Sequence, residues 1–420
     1  YQFLPILQSP DAGSINLNSM SLRILYLLQA ATYPLAWVGR ELSIERAPVI
    51  VWSGTAVIIL WTLFSCRQKE NRLPLLLGAG WWMAAYALIA IPLTTNYLLH
   101  GPRLLYVGSV GVALFWATLL EALLPKKQNI SPILQHLGWL GAFLFIVLTS
   151  GSFVRDKLQT YQQMTSSVDT IKTTMADFAK DAGILSLNLP EFISPQPTRY
   201  PVGVELVSML GHYLFVEELM DANLNSSQPS AAIMVPEQLA QTSYVYTVHH
   251  QQSWDEVDFS LPEQHVFLTT YTDNGVYTSH TGWLSWETAV SSPIADFTEY
   301  KLLAAAATTC KHKTTLHITW SPQNKTLAPS TTSFVQLFDA TGQLIGQADG
   351  PPLAIRPDLI PTDANITITD LRELDTGTQT PALAIIGVYN YLNGERFPAT
   401  DSLNNPLPDN AWRIQVIPCS

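Results

Sequence analysis

The chain has 420 residues, of which 47% are hydrophobic and only 13% are charged, and its formal net charge is −11. The charge is unevenly divided, because residues 1–153 carry nine basic and five acidic residues whereas residues 154–420 carry thirteen basic and twenty-eight acidic ones. The acidic second part repels phosphate backbones, so the sequence argues against a nucleic-acid partner. The length accommodates a membrane portion with one or two further domains.

Residues 1–46 form the first predicted region. Within it, Ser21–Val38 is an apolar stretch that is interrupted by Arg23 and Pro34. Two interpretations stay open for this stretch. It is either a membrane-spanning helix or an amphipathic helix lying on the outer interface of the membrane, and we prefer the second.

Four long apolar segments follow within the first 153 residues: Ala47–Cys66, Leu73–Leu93, Leu104–Leu124 and Ile133–Phe153. Each is about as long as a helix needs to cross a hydrocarbon core that is ~30 Å thick. The sequence therefore predicts an α-helical membrane bundle of four spanning helices plus the interfacial helix, with the lipid bilayer as its first partner.

The connections between these segments predict the orientation of the bundle. Cys66–Arg72 and Pro125–Ser131 contain Lys and Arg, whereas Thr94–Pro102 contains neither. The positive-inside rule places the first two connections in the cytoplasm and the third outside. This predicts a multi-pass plasma-membrane protein with residues 154–420 extracytoplasmic and the N-terminus on the same side.

An outer N-terminus needs an export signal, yet the sequence begins with Tyr1 and shows no recognisable signal peptide. We expect the chain to be the C-terminal portion of a longer precursor. The alternative is that an upstream signal has been removed.

The external part is predicted in two sections. Residues 154–300 begin with a helical pattern over Arg155–Ala182 and continue with strand patterns, which predicts a membrane-proximal α/β domain. Residues 301–420 contain short strand patterns such as Ser333–Asp339 and Ala382–Tyr391, and these predict a C-terminal β-sandwich. Hairpin turns are expected at two dipeptides that end in glycine, Thr341-Gly342 and Asn393-Gly394.

Cys310 and Cys419 both fall in the external part. Extracytoplasmic cysteines form stable disulfides, so these two are a candidate pair. The alternative is two independent thiols.

Three stretches carry a resemblance to a known family: Pro102–Gly111, Ser186–Pro190, and the segments Phe334–Leu344, Asp349–Pro352, Gly387–Asn390 and Gly394–Arg396. They are similar to the start of a late spanning helix, to the strand after the last span and to the β-sandwich tail of one group of enzymes. This group is the bacterial GT-C-type membrane glycosyltransferases, which are relatives of the protein O-mannosyltransferases. Gly108 stands where that group usually has a proline.

The resemblance implies sugar transfer from a polyprenyl-phosphate donor at the outer face of the membrane. It also implies a catalytic acid in an early external loop, and a divalent metal or a basic residue at the lipid phosphate. No stretch of this chain matches that loop, and Asp11 lies in a generic turn sequence. No cofactor is evident from this chain, and a divalent metal would belong to the catalytic half.

Arg103, His100 and Tyr106 are the candidate substrate-binding residues. They lie at the predicted external mouth of the third span, in a stretch without acidic residues. A guanidinium group there can hold a lipid phosphate through two hydrogen bonds. The competing interpretation is that Arg103 only anchors the helix by reaching lipid phosphates.

The histidines His249, His250 and His280 raise the question of a metal site. No cysteine or acidic residue stands at a ligand spacing beside them. We therefore expect ordinary surface or strand histidines and no metal site.

Two functional hypotheses remain. The first is the C-terminal portion of a polyprenyl-phosphate-sugar-dependent glycosyltransferase. The second is a non-catalytic GT-C-like scaffold, or an accessory subunit that packs against other membrane subunits and recruits partners through its acidic external domain.

Overall fold

The computed structural model describes these residues: 23–24, 28, 47–90, 98, 106–123, 132–178, 182–195, 207–208, 230–233, 235, 244–248, 257, 262–272, 275–286, 292–323, 327–360 and 366–419. Two compact units emerge. The first, the helical unit, comprises residues 1–162 and 194–207, and the second, the β unit, comprises residues 163–193 and 208–420. Most of the predicted interfacial stretch Ser21–Val38 lies outside the described residues.

Four α-helices have described bounds: α1 Ala47–Ser65, α2 Lys69–Ala90, α3 Tyr106–Leu123 and α4 Pro132–Ala176. The backbones of α2 and α3 approach closely at two glycines. A Cβ atom on Gly78 would lie 2.8 Å from the backbone nitrogen of Phe115, and one on Gly111 would lie 2.6 Å from that of Trp82. Such small-residue contacts are typical of helices that pack in membranes.

The predicted bundle of four spanning helices plus an interfacial helix is wrong. Among the described residues, one helix, Lys69–Ile89, is long and apolar enough to cross a membrane, and the apolar helices Trp52–Ser65 and Val107–Ala122 are shorter. The predicted span Ile133–Phe153 is part of the 45-residue helix α4. The physical reason is that hydropathy counts apolar residues without fixing where a helix begins and ends.

The helix Lys69–Ile89 is a candidate membrane span for a second reason, which is its exposure. Only 22% of its most apolar 18-residue stretch is buried inside the protein. Leu77 and Leu88 on this helix are 60% and 77% exposed. The core helix of a water-soluble protein buries such side chains, whereas a lipid-facing helix leaves them on the outside.

Most of the strands belong to the β unit. The strands of the described residues are, in chain order, β1 Gly183–Leu187, β2 Pro190–Pro195, β3 Val207–Ser208, β4 Ser230–Ile233, β5 Tyr244–Val248, β6 Glu263–Thr272, β7 Gly275–Ser285, β8 Ala295–Phe297, β9 Tyr300–Cys310, β10 Lys313–Pro322, β11 Thr331–Phe338, β12 Leu344–Gly350, β13 Thr367–Asp375, β14 Leu383–Asn390, β15 Glu395–Arg396, β16 Thr400–Asp401, β17 Ala411–Gln415 and β18 Ile417–Pro418. Ten of them form the main sheet, in the order β16-β8-β9-β10-β13-β7-β6-β1-β4 with β18 paired to β9. A five-stranded sheet has the order β12-β11-β14-β15, with β17 paired to β14.

The main sheet crosses the predicted boundary at residues 300 and 301. Strand β7 pairs with β13 in an antiparallel register that aligns Trp283 with Thr369. On the other side, β1 lies parallel between β4 and β6. The expected fold class, a separate α/β element followed by a β-sandwich, is therefore wrong, because one sheet continues through both sections.

The core of the β unit lies between the two sheets. Strand β10 alternates buried and more exposed residues, as expected when one face of a strand points to the core. Trp320 on this strand is completely buried and contacts the rings of Phe297 and Tyr300. The main cluster also includes residues from the five-stranded sheet, namely Val335, Leu337, Ala384, Ile386 and Val388. The two sheets are thus held by one continuous apolar core.

Gly282 marks the point where β7 changes register against β6. The register shifts between Val266 and Phe267, and Gly282 has a φ of +133°. A Cβ atom here would lie 1.9 Å from the carbonyl oxygen of Thr369 on β13. Only glycine combines this backbone conformation with so close an approach.

We expect Gly282→Ala to lower the free energy of unfolding of the β unit by about 3 kcal/mol or more, because it adds a backbone clash to backbone strain. Gly342→Ala is the matched control, since Gly342 has a φ of +85° but open space around its Cβ position. That change should cost about 1 kcal/mol. Chemical denaturation of the two variants measures the difference, and equal losses would contradict the steric argument.

Candidate functional site

Of the three predicted phosphate-binding residues, the structure describes one, Tyr106. Arg103 and His100 lie outside the described residues, as do His249 and His250. Tyr106 is the first residue of α3. The substrate-binding role of Arg103, His100 and Tyr106 stays a prediction.

Cys310 and Cys419 are joined by a disulfide, and their Cα atoms are 5.3 Å apart. The pairing of β18 with β9 brings them together, since Pro418 aligns with Thr309. The backbone N–H of Cys419 also donates a hydrogen bond to the carbonyl of Thr309. The disulfide links positions 109 residues apart, whereas Cys66 in the helical unit has a free thiol.

Two histidines meet on the hairpin of β6 and β7. His265 Nδ1 lies 2.9 Å from His280 Nε2, and His265 Nε2 lies 3.0 Å from Glu263 Oε1. The antiparallel pairing aligns His265 with Trp283 and His280 with Phe267, so the two histidines are diagonal neighbours although they are 15 positions apart. We call Glu263, His265 and His280 the histidine array.

Aromatic rings enclose the histidine array. The ring of Phe178, just after α4, lies 4.6 Å from that of His265 and 4.5 Å from that of His280. The indole of Trp283 is nearly parallel to the His280 ring, at an angle of 14°. These rings exclude water from one side of the two imidazoles.

This burial changes the acidity of both histidines. It lowers the pKa of His265 below its usual value. It also lowers the pKa of His280 to about 4, with a further contribution from the charge on His265. Burial disfavours the charged imidazolium, and two like charges at this distance oppose each other.

The array is not arranged around a common ion. Among the described residues, no group of three or more His, Cys, Asp or Glu side chains could hold a metal. The imidazole nitrogens face each other and Glu263 at hydrogen-bond distances instead. The three side chains thus form a line of hydrogen-bonding groups.

A second polar network is centred on Asp370 and Arg372 of β13. The buried carboxylate of Asp370 accepts hydrogen bonds from the backbone N–H of Leu353 and from Arg372 Nε. Arg372 Nη2 donates to Ser333 Oγ and to the carbonyls of Gly350 and Pro351, at 3.1, 2.8 and 3.1 Å. This network ties the main sheet to β11 and to the end of β12.

Neither network is predicted by the sequence. Asp370 and Arg372 stand two positions apart and therefore share one face of a strand, which was the available signal. Nothing local in the sequence indicates that His265 and His280 meet, because their contact depends on the register of the hairpin.

Comparison with known proteins does not identify a family for this chain, so its function must be inferred from its own residues. No protein-family model and no curated protein matches the chain.

We expect Arg372→Ala to destabilise the β unit by about 3 kcal/mol, because it leaves a buried carboxylate without its charged partner. Arg413→Ala removes the exposed ion pair with Asp409 and should cost less than about 1 kcal/mol. Thermal unfolding of both variants provides the comparison. Equal shifts in Tm would show that the buried network does not stabilise the fold.

Proposed function

We propose that this chain works in a polyprenyl-phosphate-sugar-dependent membrane glycosyltransferase, as a plasma-membrane-anchored part whose β unit is extracytoplasmic. The single observation that carries the proposed location is the Cys310–Cys419 disulfide. Disulfides persist in oxidising compartments and are rare in the cytosol. The candidate span Lys69–Ile89 supplies the membrane anchor.

The order of elements supports the proposed enzyme class. Apolar helices come first along the chain and a disulfide-linked β unit follows. This order agrees with the family resemblance, in which an external β-rich tail follows the membrane portion. The proposed enzyme class therefore rests on analogy at the level of the fold, and the donor site is tested separately below.

The proposed donor site lies at the start of α3. The helix begins at Tyr106, three positions after Arg103. The N-terminal end of a helix favours anions, and an arginine adds two charge-assisted hydrogen bonds to a phosphate. Arg103, His100 and Tyr106 would thus bind the phosphate of the lipid-linked sugar.

A non-catalytic accessory subunit is the second candidate. The exposed apolar side chains of α1 and α2, such as Leu63 and Leu88, favour it, since they offer surface to other membrane subunits as well as to lipid. In this role the chain would co-purify with its partners in fixed stoichiometry. Sugar transfer by the purified chain alone would exclude this candidate.

The proposed compartment predicts the state of the thiols in cells. After acid quenching, a polyethylene-glycol maleimide should add one label to the denatured chain, on Cys66, and three labels after reduction. Cys66→Ser should remove the single label that forms without reductant. Three labels without reductant would place the β unit in a reducing compartment and overturn the proposed location.

The donor site predicts the effect of Arg103→Ala on binding. In nanodiscs, this change should weaken the binding of an undecaprenyl-phosphate-linked sugar by about tenfold or more, because charge-assisted hydrogen bonds to the phosphate are lost. Arg103→Lys keeps the charge without the two-pronged contact and should have an intermediate affinity.

Arg72→Ala is the control for this experiment, because Arg72 is an exposed residue of α2 on the predicted cytoplasmic side. It should bind the lipid-linked sugar as the unchanged chain does. Unaltered affinity in Arg103→Ala would exclude Arg103 from the donor site.

A further inference from the structure

The histidine array has a hydrogen-bond acceptor at each end. At one end, the Glu263 carboxylate faces His265 Nε2 at 3.0 Å. At the other end, a backbone hydrogen bond with Gly282 favours the protonated form of His280. Between them, the two imidazoles face each other at 2.9 Å.

The number of protons that this line accepts follows from its geometry. Each end requires an N–H group, and the link between the two rings requires one hydrogen on one of its two nitrogens. Three hydrogens on four ring nitrogens satisfy every link, which is one proton more than two neutral imidazoles carry. A fourth hydrogen would place two N–H groups head to head at 2.9 Å.

We propose that the His265–His280 pair is an acid-sensitive latch, which holds the turn after α4 against the main sheet at neutral pH and releases it in acid. The turn is held through Phe178, whose ring contacts both imidazoles and the ring of Phe267. Two separate charges on the histidines would force the rings apart and remove the surface on which Phe178 packs.

Among the described residues, the groups that face the inner histidine, His280, include no acidic side chain to offset a second positive charge. Glu263 comes from β6 and contacts His265, and it is 45% exposed at its side chain. His317 on β10 faces Trp283 and opposes a charge on His280 further. The turn after α4 contributes the uncharged ring of Phe178.

The direction of the pH effect follows from linkage. Both histidines bind protons less readily in the folded protein than in the unfolded chain, since their pKa values are lowered from 6.5. The stabilisation by the hydrogen-bonded pair is therefore fully present above that value and is lost as the pH falls toward about 4.

Hydrogen exchange of the 420-residue chain in nanodiscs tests the latch. We expect peptides that contain Phe178 to lose about tenfold of their protection between pH 7.5 and pH 5, after correction for the intrinsic rate of exchange. His280→Gln cannot be charged at this position and keeps an amide that can donate to His265, so only His265 of the pair still binds protons. Its loss of protection in acid should therefore be clearly smaller than that of the unchanged chain. His265→Gln, which leaves only His280 of the pair to titrate, provides a second variant if the first does not fold.

His312→Gln is the matched control, because His312 is an exposed histidine in the turn between β9 and β10. It should show the same loss of protection in acid as the unchanged chain. Protection around Phe178 that is independent of pH in the unchanged chain would overturn the latch. An equal loss in His280→Gln, His265→Gln and the unchanged chain would overturn it as well.

Discussion

The antiparallel pairing of β7 with β13 is the contact on which the rest of the β unit depends. It joins strands from residues 183–285 to strands from residues 295–418 in one sheet. Gly282 permits this contact, because its missing side chain leaves room for the carbonyl of Thr369. The same position sets the register of the β6–β7 hairpin, and this register brings His265 and His280 together. One glycine thus couples the continuity of the sheet to the geometry of the histidine array.

Local features of the β unit were visible in the sequence. Strand β11 lies at the predicted strand Ser333–Asp339, and β14 lies within Ala382–Tyr391. Gly342 and Gly394, at the predicted turns, have φ values of +85° and +72°. These features depend on a few adjacent residues, which is why the pattern of strand and turn residues was sufficient.

Features that depend on distant residues were not visible. The β7–β13 pairing joins Ser285 to Thr367, and no local pattern states which strand pairs with which. The candidate site shows the same division. The sequence indicated strand histidines without their contact, and it drew attention to Arg103, which lies outside the described residues. In the helical unit, the apolar runs predict whole spans, but hydropathy does not record where helices begin and end.

The disulfide has a mechanical consequence. Strands β10 to β18, which include the whole five-stranded sheet, lie between Cys310 and Cys419 along the chain. A pulling force that acts between α4 and Cys419 would pass through β9 and the disulfide directly. The polypeptide inside this covalent loop would carry none of the load. Under such tension β1 to β9 would be extended, whereas the strands inside the loop could not be extended until the disulfide is reduced.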